Sequence, residues 1–546
     1  MRKLYFRYVL TILVLGTMAV WALAGRDPKR ARALHRLETV FNTILDRYVA
    51  EIDPEKLADA ISEQALKQLD PYSLYLAAGK EHRIDAVTRG SYGGIGIHLG
   101  READTLVILS PVLGGPAEEM GLRAGDLIMK IDSLNAIGMS LKKASEHIRG
   151  PLHTFVKLTI KHPGIPGTTV YRIERRLIRV EDVPYAGFVE PGIGYVKLTS
   201  FARNSAYHLA REIRKLQQNG LQGLILDLRG NPGGLLQAAL DVADMFVPAG
   251  TLLLSTRGRG MTANRSFFAR DTIVVPVDLP LAVLIDRGSA SASEIVAGIL
   301  QDEDRAVIIG HMSFGKGLVQ SIFHVDRKNR VKITTAKYYL PSGRLIQKQR
   351  YAQKLLLEDT LKAHKNGFYS RNGRPLHGGG GIKPDLTVSS LQSDKWMRRL
   401  QRKRLFLRFA SEYVNGHKGE LFLPKEVSDS LVKAFETWLF SIGEPPEDEL
   451  EQAVRKARGL AIRDRVPEVR DLLDETYRRL QHRDNLSFRL HWEEIRHQLK
   501  VEISRVLGGT AARIGASLEY DPVVTRAVRL LKDPRQVRRL LAAAED

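Results

Sequence analysis

The chain of 546 residues is too long for one hydrophobic core and predicts three or four domains. Lys plus Arg number 83 against 62 Asp plus Glu, but this surplus of +21 is scattered among acids and forms no nucleic-acid motif, so specific nucleic-acid binding is not expected. Cysteine is absent, which excludes disulfides, thiol nucleophiles and cysteine-ligated zinc.

The first informative segment is "YVLTILVLGTMAVWALAG", Tyr8 to Gly25, uncharged and apolar, behind Arg2, Lys3 and Arg7. A basic start before an apolar run reads as an export signal. Its "ALA" at Ala22 to Ala24 resembles a signal-peptidase site, and the run is also long enough to span a thin bilayer. Residues 1–25 are therefore expected to be a signal peptide or membrane anchor. The remainder is expected to be exported to the periplasmic side, held at the inner membrane by this segment.

Residues 26–89 predict helices. Leu34, Leu37, Val40, Phe41, Ile44, Leu45 and Tyr48 recur at helical spacing, and Asp53 with Pro54 marks a second helix start. Residues 90–182 change texture: "GGIGIHL", "TLVILSPV", "DLIMKID", "VKLTIKH" and "VYRIERR" are strand-like runs between turn residues, with two short helical stretches among them. That is a compact β-rich module. Residues 183–390 alternate apolar strands with helices, as in "GLILDLRG" before "LLQAALDVADMFV" and "LAVLID" before "IVAGILQDED". This pattern predicts largely parallel strands covered on both faces. Residues 391–546 are helical and dense in both charges, with Leu472, Leu473, Tyr477 and Leu480 forming an apolar stripe and Pro445–Pro446 dividing the segment. The fold class is multidomain α/β.

The chemistry concentrates at "GSASASE", Gly288 to Glu294. A nucleophilic serine needs an exposed hydroxyl, a base, a group orienting that base, and N–H donors for the oxyanion. A strand end running into a helix supplies the exposed position and unpaired N–H groups. The G-x-S-x-G elbow is absent. Downstream, "SFGKGLVQ" places Lys316 between two glycines. A neutral lysine is a competent base, but an ordinary lysine titrates near ~10.4, so such a base needs burial. "GHMSFGK" imitates the start of a phosphate-binding loop, but Gly317 stands where Ser or Thr would hold magnesium, so a nucleotide site is not expected.

Taken together, "LDPYS", "GGIGI", "GPAEEMGLRAGDLIMKID", "GYVKLTSF", "LILDLRGNPGGLL", "SASASEI", "FGKGLVQ" and "GGIKPD" resemble, in order, the carboxyl-terminal processing proteases, serine–lysine peptidases of the S41 type with an embedded PDZ domain. The resemblance spans roughly residues 35–390. It implies a Clp-protease- or crotonase-like core, with Ser291 as nucleophile, Lys316 as base and Gln320 orienting the lysine. It also implies an oxyanion hole from the N–H of Ala292 and of Gly233, with Gly234 as the alternative. Ser289 and Ser293 are then structural, and Glu294 reads as a first-turn partner of the helix dipole. In the PDZ-like module, Gly94, Ile95, Gly96 and Ile97 would bind a peptide carboxylate, and the next strand would take the peptide at its edge.

The expected activity is that of an exported serine endopeptidase that recognises protein substrates by apolar C-termini, without metal or cofactor. The expected assembly is a homo-oligomer. The rival readings are a catalytically inactive PDZ scaffold that captures peptide ends, and an acyl-CoA enzyme on the related fold.

Overall fold

The computed structural model describes residues 27–77, 90–270, 273–348, 367–388, 395–417, 422–444, 449–481 and 486–543. The apolar run at 8–25 and Pro445–Pro446 lie outside these residues. Among the described residues no helix is long and apolar enough to cross a membrane.

Among the described residues, one compact unit comprises 27–77 together with 322–333. Helix α1 (Pro28–Arg47) starts at Asp27, which accepts from the Lys29 N–H, and α2 (Pro54–Lys67) starts at Asp53, which accepts from the N–H groups of Glu55 and Lys56. Both follow the acidic cap-then-proline rule. Strand β1 (Leu74–Leu76) pairs antiparallel with Arg330–Lys332. Helix α1 buries none of its residues, and Leu34, Leu37 and Val40 are exposed.

The second unit holds the other described residues. In its β-rich module, β2 (Ser91–Gly94) pairs with β9 (Arg176–Arg179). The main sheet contains β3 (Ile97–Glu102), β4 (Thr105–Pro111), β5 (Leu127–Ile131), β6 (Leu134–Asn135), β7 (Phe155–Lys161) and β8 (Thr169–Glu174). Its order is β3-β4-β5-β7-β8, with β6 beside β5, so β3 is an edge strand. Short helix α3 (Pro116–Glu119) and helix α4 (Leu141–Ile148) complete the module. Ile95, Ile108, Ile128, Leu158 and Ile160 form its buried centre.

The α/β core is built on β10 (Tyr185–Glu190), β11 (Ile193–Lys197), β12 (Gly223–Asp227), β15 (Leu281–Ile285), β16 (Val307–Gly310) and β21 (Leu386–Thr387), in that order. Only the β10–β11 pair is antiparallel; the rest are parallel. Strands β13 (Leu252–Arg257), β14 (Arg265–Phe268), β17 (Leu318–His324) and β18 (Arg330–Tyr339) belong to a second sheet, and β19 (Phe368–Tyr369) pairs with β20 (Pro375–Leu376). Helices α5 (Ser205–Gln218), α6 (Leu236–Asp244) and α7 (Ala292–Asp302) share one apolar core with the side chains of one face of the parallel sheet.

The C-terminal region is helical: α8 (Lys395–Arg402), α9 (Leu405–Gly416), α10 (Asp429–Ser441), α11 (Glu449–Arg463), α12 (Pro467–Gln481), α13 (Leu486–Leu490), α14 (Trp492–Ser517), α15 (Pro522–Leu531) and α16 (Pro534–Leu541). It divides its packing. Trp396, Phe406, Phe409, Phe435 and Ile495 make a core of its own. Ile514, Val523, Val524, Ala527, Leu530 and Leu531 instead cover the other face of the parallel sheet, against Ile193, Tyr195, Ile225, Ala282, Leu284 and Ile309. The α/β core expected over residues 183–390 is therefore not complete at residue 390; its second face is supplied by the chain's last helices. On α12, Leu480 is buried while Leu472 is exposed.

Candidate active site

Three neighbouring parallel strands, β12, β15 and β16, send three loops out from their C-terminal ends. That edge is where open α/β sheets place ligands. The loops carry "RGNPGG", "DRGSASAS" and "HMSFGKG".

Ser291 stands at the start of α7 with φ 54° and ψ −111°. Such a conformation in a residue other than glycine costs on the order of 1–3 kcal/mol and persists only where neighbours enforce it. The enforcing group is Glu294, which is fully buried. Its Oε2 accepts from the N–H of Ser291 (2.8 Å) and of Lys316 (2.9 Å). Its Oε1 accepts from the N–H of Gly315 (2.6 Å) and from the Ser313 hydroxyl (2.5 Å). Ser313 Oγ in turn accepts from the Ile382 N–H. Burial pushes the Glu294 pKa up, and the donors from Ser313, Lys316, Gly315 and Ser291 oppose that rise. Four donors converging on two oxygens leave no acceptor for a carboxyl proton, so the ionised form fits the site. The expectation of a simple dipole partner is therefore corrected. One carboxylate clamps the Ser291 peptide to the Lys316 loop, and the S-x-x-E spacing of a capping box was its sequence signal.

Other bonds fix the same geometry. The Phe314 N–H donates to Ser289 O (2.9 Å). The Tyr338 hydroxyl donates to Lys316 O (2.7 Å) and lies 3.5 Å from Ser291 O. Ser289 and Ser293 are fully buried, and their hydroxyls donate to Leu228 O and Asn231 O. Both are thereby committed to tying the serine loop to the glycine turn. Lys316 is half-buried.

The helix start narrows the choice of oxyanion donors. The Ser291 N–H is taken by Glu294, and the Ser293 N–H by Ala290 O. Ala292, the first helical residue, has an N–H without an intrahelical acceptor. Gly233 lies against Ser291: an added Cβ would stand 2.9 Å from Ser291 Cβ and 2.7 Å from Ala290 O, at φ 98°. Its N–H, however, donates to Asn231 Oδ1 at 2.9 Å. The assignment of Gly233 as second donor is thus not met in this geometry, because an Asn two residues earlier captures that proton.

Lys316 lies in the turn before β17, which begins at Leu318, and Gln320 lies on that strand. The Gln320 amide nitrogen donates to Leu318 O (3.3 Å) and Thr334 Oγ1 (3.4 Å).

Sequence reasoning missed a buried charge cluster beneath the glycine turn. Asp227 bonds Arg229 (2.7 Å), Lys197 (3.1 Å) and the Tyr195 hydroxyl (2.6 Å), and Arg229 also pairs with Asp521 at the start of α15 (2.7 Å). Burial alone raises the Asp227 pKa, but Lys197 and Arg229 outweigh it and hold the carboxyl well below the usual range. A charged D-x-R at the end of an apolar strand was its signal, since buried charges require partners.

In the β-rich module, Gly94 ends β2 and Ile97 begins β3. Ile95 is fully buried, with its carbonyl accepting from the Ala117 N–H, and Gly96 turns the chain at φ 75°. Ile95, Gly96 and Ile97 line a cavity of about 870 Å³ that also reaches Leu141, Ser145 and Ile148 of α4.

Residues 192–355 match the family described as "Peptidase family S41", residues 107–162 match "PDZ domain", and residues 396–531 match "Probable PDZ-protease, C-terminal helical domain". The "Carboxy-terminal-processing protease" of Bartonella bacilliformis is 36% identical over 374 residues, covering 67% of this chain and 85% of that protein. The "Carboxy-terminal processing protease CtpB" of Bacillus subtilis is 33% identical over 357 residues, covering 65% and 72%. Among solved structures, "Photosystem II D1 C-terminal processing protease" is 28% identical with a TM-score of 0.37, covering 64% of this chain and 85% of that one. The α/β core with its PDZ domain defines a serine-type peptidase. The chain belongs to the carboxy-terminal-processing protease family within peptidase family S41.

Glu294→Gln is expected to lower kcat on the order of 10²-fold with KM little changed, since a misplaced reacting pair costs about that much. The amide would set an NH₂ against N–H donors that now share a carboxylate. Steady-state kinetics beside thermal melting checks it; an unchanged kcat would remove the clamp from catalysis.

Proposed function

We propose that this protein is an endopeptidase that cleaves exported proteins recognised by apolar C-termini, through a Ser291–Lys316 acyl-enzyme mechanism. The observation that carries the reading is the Glu294 clamp, which binds the backbone of both residues to one carboxylate. Ser291 Oγ attacks the scissile carbonyl while the neutral Lys316 amine takes its proton. The tetrahedral oxyanion is held by the Ala292 N–H and a second N–H from the glycine turn, for which Gly234 is the remaining candidate. Collapse expels the amine, which receives the proton from Lys316. Water, deprotonated by the neutral Lys316 amine, then attacks the acyl carbonyl, and collapse breaks the bond to Ser291 Oγ, which takes its proton back from Lys316. Gln320, whose amide nitrogen donates to Leu318 O and Thr334 Oγ1, would orient the lysine through its Oε1. No step requires a metal or cofactor.

The PDZ domain would dock the substrate's C-terminus, with the carboxylate at Gly94–Ile97 and the peptide on the edge of β3. The basic start and apolar run at residues 1–25 support export and anchoring at the membrane. The exposed apolar faces of α1 and α12 support a homo-oligomer.

A fluorophosphonate probe tests the chemistry. The expected result is a single adduct that maps to Ser291 and blocks casein cleavage. Labelling elsewhere, or none in a folded protein without casein cleavage, would favour the scaffold reading. Deleting residues 90–182 tests docking. Short peptides should still be cleaved, while proteins with apolar C-termini should lose selective cleavage. Loss of both activities in a folded variant would show gating instead.

A further inference from the structure

The cavity beside β3 has a second wall that the PDZ domain does not supply. It is formed by Arg505 to Ala511 of α14. The helix breaks within that wall: Gly508 has φ −133° and ψ 18°, and Gly509 has φ 65° and ψ −153°. Gly509's backbone is one that residues with a side chain rarely adopt, so the break is built into the sequence. A break also removes backbone groups from the helical ladder and turns them toward what lies beside them.

The wall is attached to the PDZ domain. Ser110 Oγ on β4 lies 3.0 Å from Thr510 Oγ1. Val107 and Ala124 pack with Leu407 of α9. The cleft thus has β3 as an open strand edge, α4 on one side and the broken helix on another. Its lining is apolar at Ile97, Leu141 and Ile148, basic at Arg123, Arg149, Arg179 and Arg505, and acidic at Glu118 and Glu181. An edge strand in an apolar cleft whose arginines outnumber its carboxylates suits an extended peptide ending in a free carboxylate.

We propose that residues 505–511 of the helical domain are a specificity-determining wall of the peptide cleft. The substrate's terminal residues add to β3, and the residues just upstream lie against the broken turn of α14. The inference rests on the reading that the PDZ domain binds peptide C-termini. It makes the helical domain a reader of substrate sequence.

Ala511 lines the cavity and is exposed, so a larger side chain there fills the cleft without entering a core. The test uses the full chain with Ser291→Ala, which leaves the probe uncut. The probe is a fluorescein-labelled peptide ending in Leu-Ala-Ala with a free carboxylate, beside its C-terminal amide. Expected results are binding that requires the carboxylate, and a loss of about tenfold or more in affinity with Ala511→Trp as well as with Leu141→Arg. Loss with Leu141→Arg alone overturns the wall and leaves PDZ docking standing. Equal binding of acid and amide, or no effect of either variant, overturns docking and the wall together. A photo-crosslinking p-benzoylphenylalanine at position 511 gives a second readout. It should capture the probe, and excess unlabelled acid should suppress capture; no capture under saturating probe overturns the wall.

Discussion

Ser291→Ala is expected to reduce peptide hydrolysis by roughly 10⁴–10⁶-fold, the scale seen when a nucleophile is removed from a preorganised site. The fold should survive. The bonds that hold this loop run through the Ser291 backbone N–H, the buried hydroxyls of Ser289 and Ser293, and Glu294, and the substitution removes none of them. Alanine also releases no constraint on φ 54°, so melting should stay within a few degrees of wild type. Lys316→Arg should be as inactive as Lys316→Ala, because arginine keeps its proton throughout the accessible pH range. Ser289→Ala should retain the nucleophile but lose a bond to Leu228 O, at about 1 kcal/mol. Active-site titration with a fluorophosphonate, beside turnover of a quenched peptide, separates these outcomes. An active Ser291→Ala or an active Lys316→Arg would overturn the Ser–Lys assignment. The wild-type pH–rate profile should rise with an apparent pKa below the ~10.4 of free lysine.

The loop that carries Ser291 was legible because a fully buried strand, Leu281–Ile285, runs into a small-residue stretch that opens a buried helix, whereas the choice of Ser291 within it came from the resemblance. The parallel core was legible for the same reason: its strands are continuously apolar. What stayed hidden depends on contacts that cross the chain. The pattern of Val523, Val524, Ala527, Leu530 and Leu531 announces an apolar helix face but not which surface covers it. The fate of the Gly233 N–H is decided by one Asn231 side-chain oxygen, a choice invisible in "GNPGG". The local path of the lysine was equally hidden, because Gly315 and Gly317 keep Lys316 in an irregular turn before β17. Gly315 has φ 89°, and a Cβ on Gly317 would lie 2.8 Å from Leu345. Glu294 was visible as a residue and misjudged in role, since its other three donors come from a loop about twenty residues downstream.

Ending the chain after Gly508 should destroy the protease core, although every residue of the proposed catalytic machinery remains. The deletion uncovers Ile193, Tyr195, Ile225, Ala282, Leu284, Val307 and Ile309 on one face of the parallel sheet. A parallel sheet needs both faces covered. The lost partners include Ile514, Leu518, Val523, Val524, Val528, Leu530, Leu531 and Val537. At roughly 1.5–3 kcal/mol for each fully buried aliphatic side chain, their burial is worth on the order of 10 kcal/mol or more. That is comparable with the whole net stability of a domain. The same cut removes Asp521, and with it the outer partner of Arg229, two residues before the Asn231 turn that carries the Ser289–Ser293 loop. The expected result is an insoluble chain or one without a cooperative melt, and no fluorophosphonate labelling. Leu530→Asp in the full chain should act in the same direction, because it buries a carboxylate without a partner. Adding residues 509–546 as a separate peptide should restore part of the labelling of the refolded fragment. A truncated chain that melts and cleaves like the full one would show that the sheet keeps its fold without these helices.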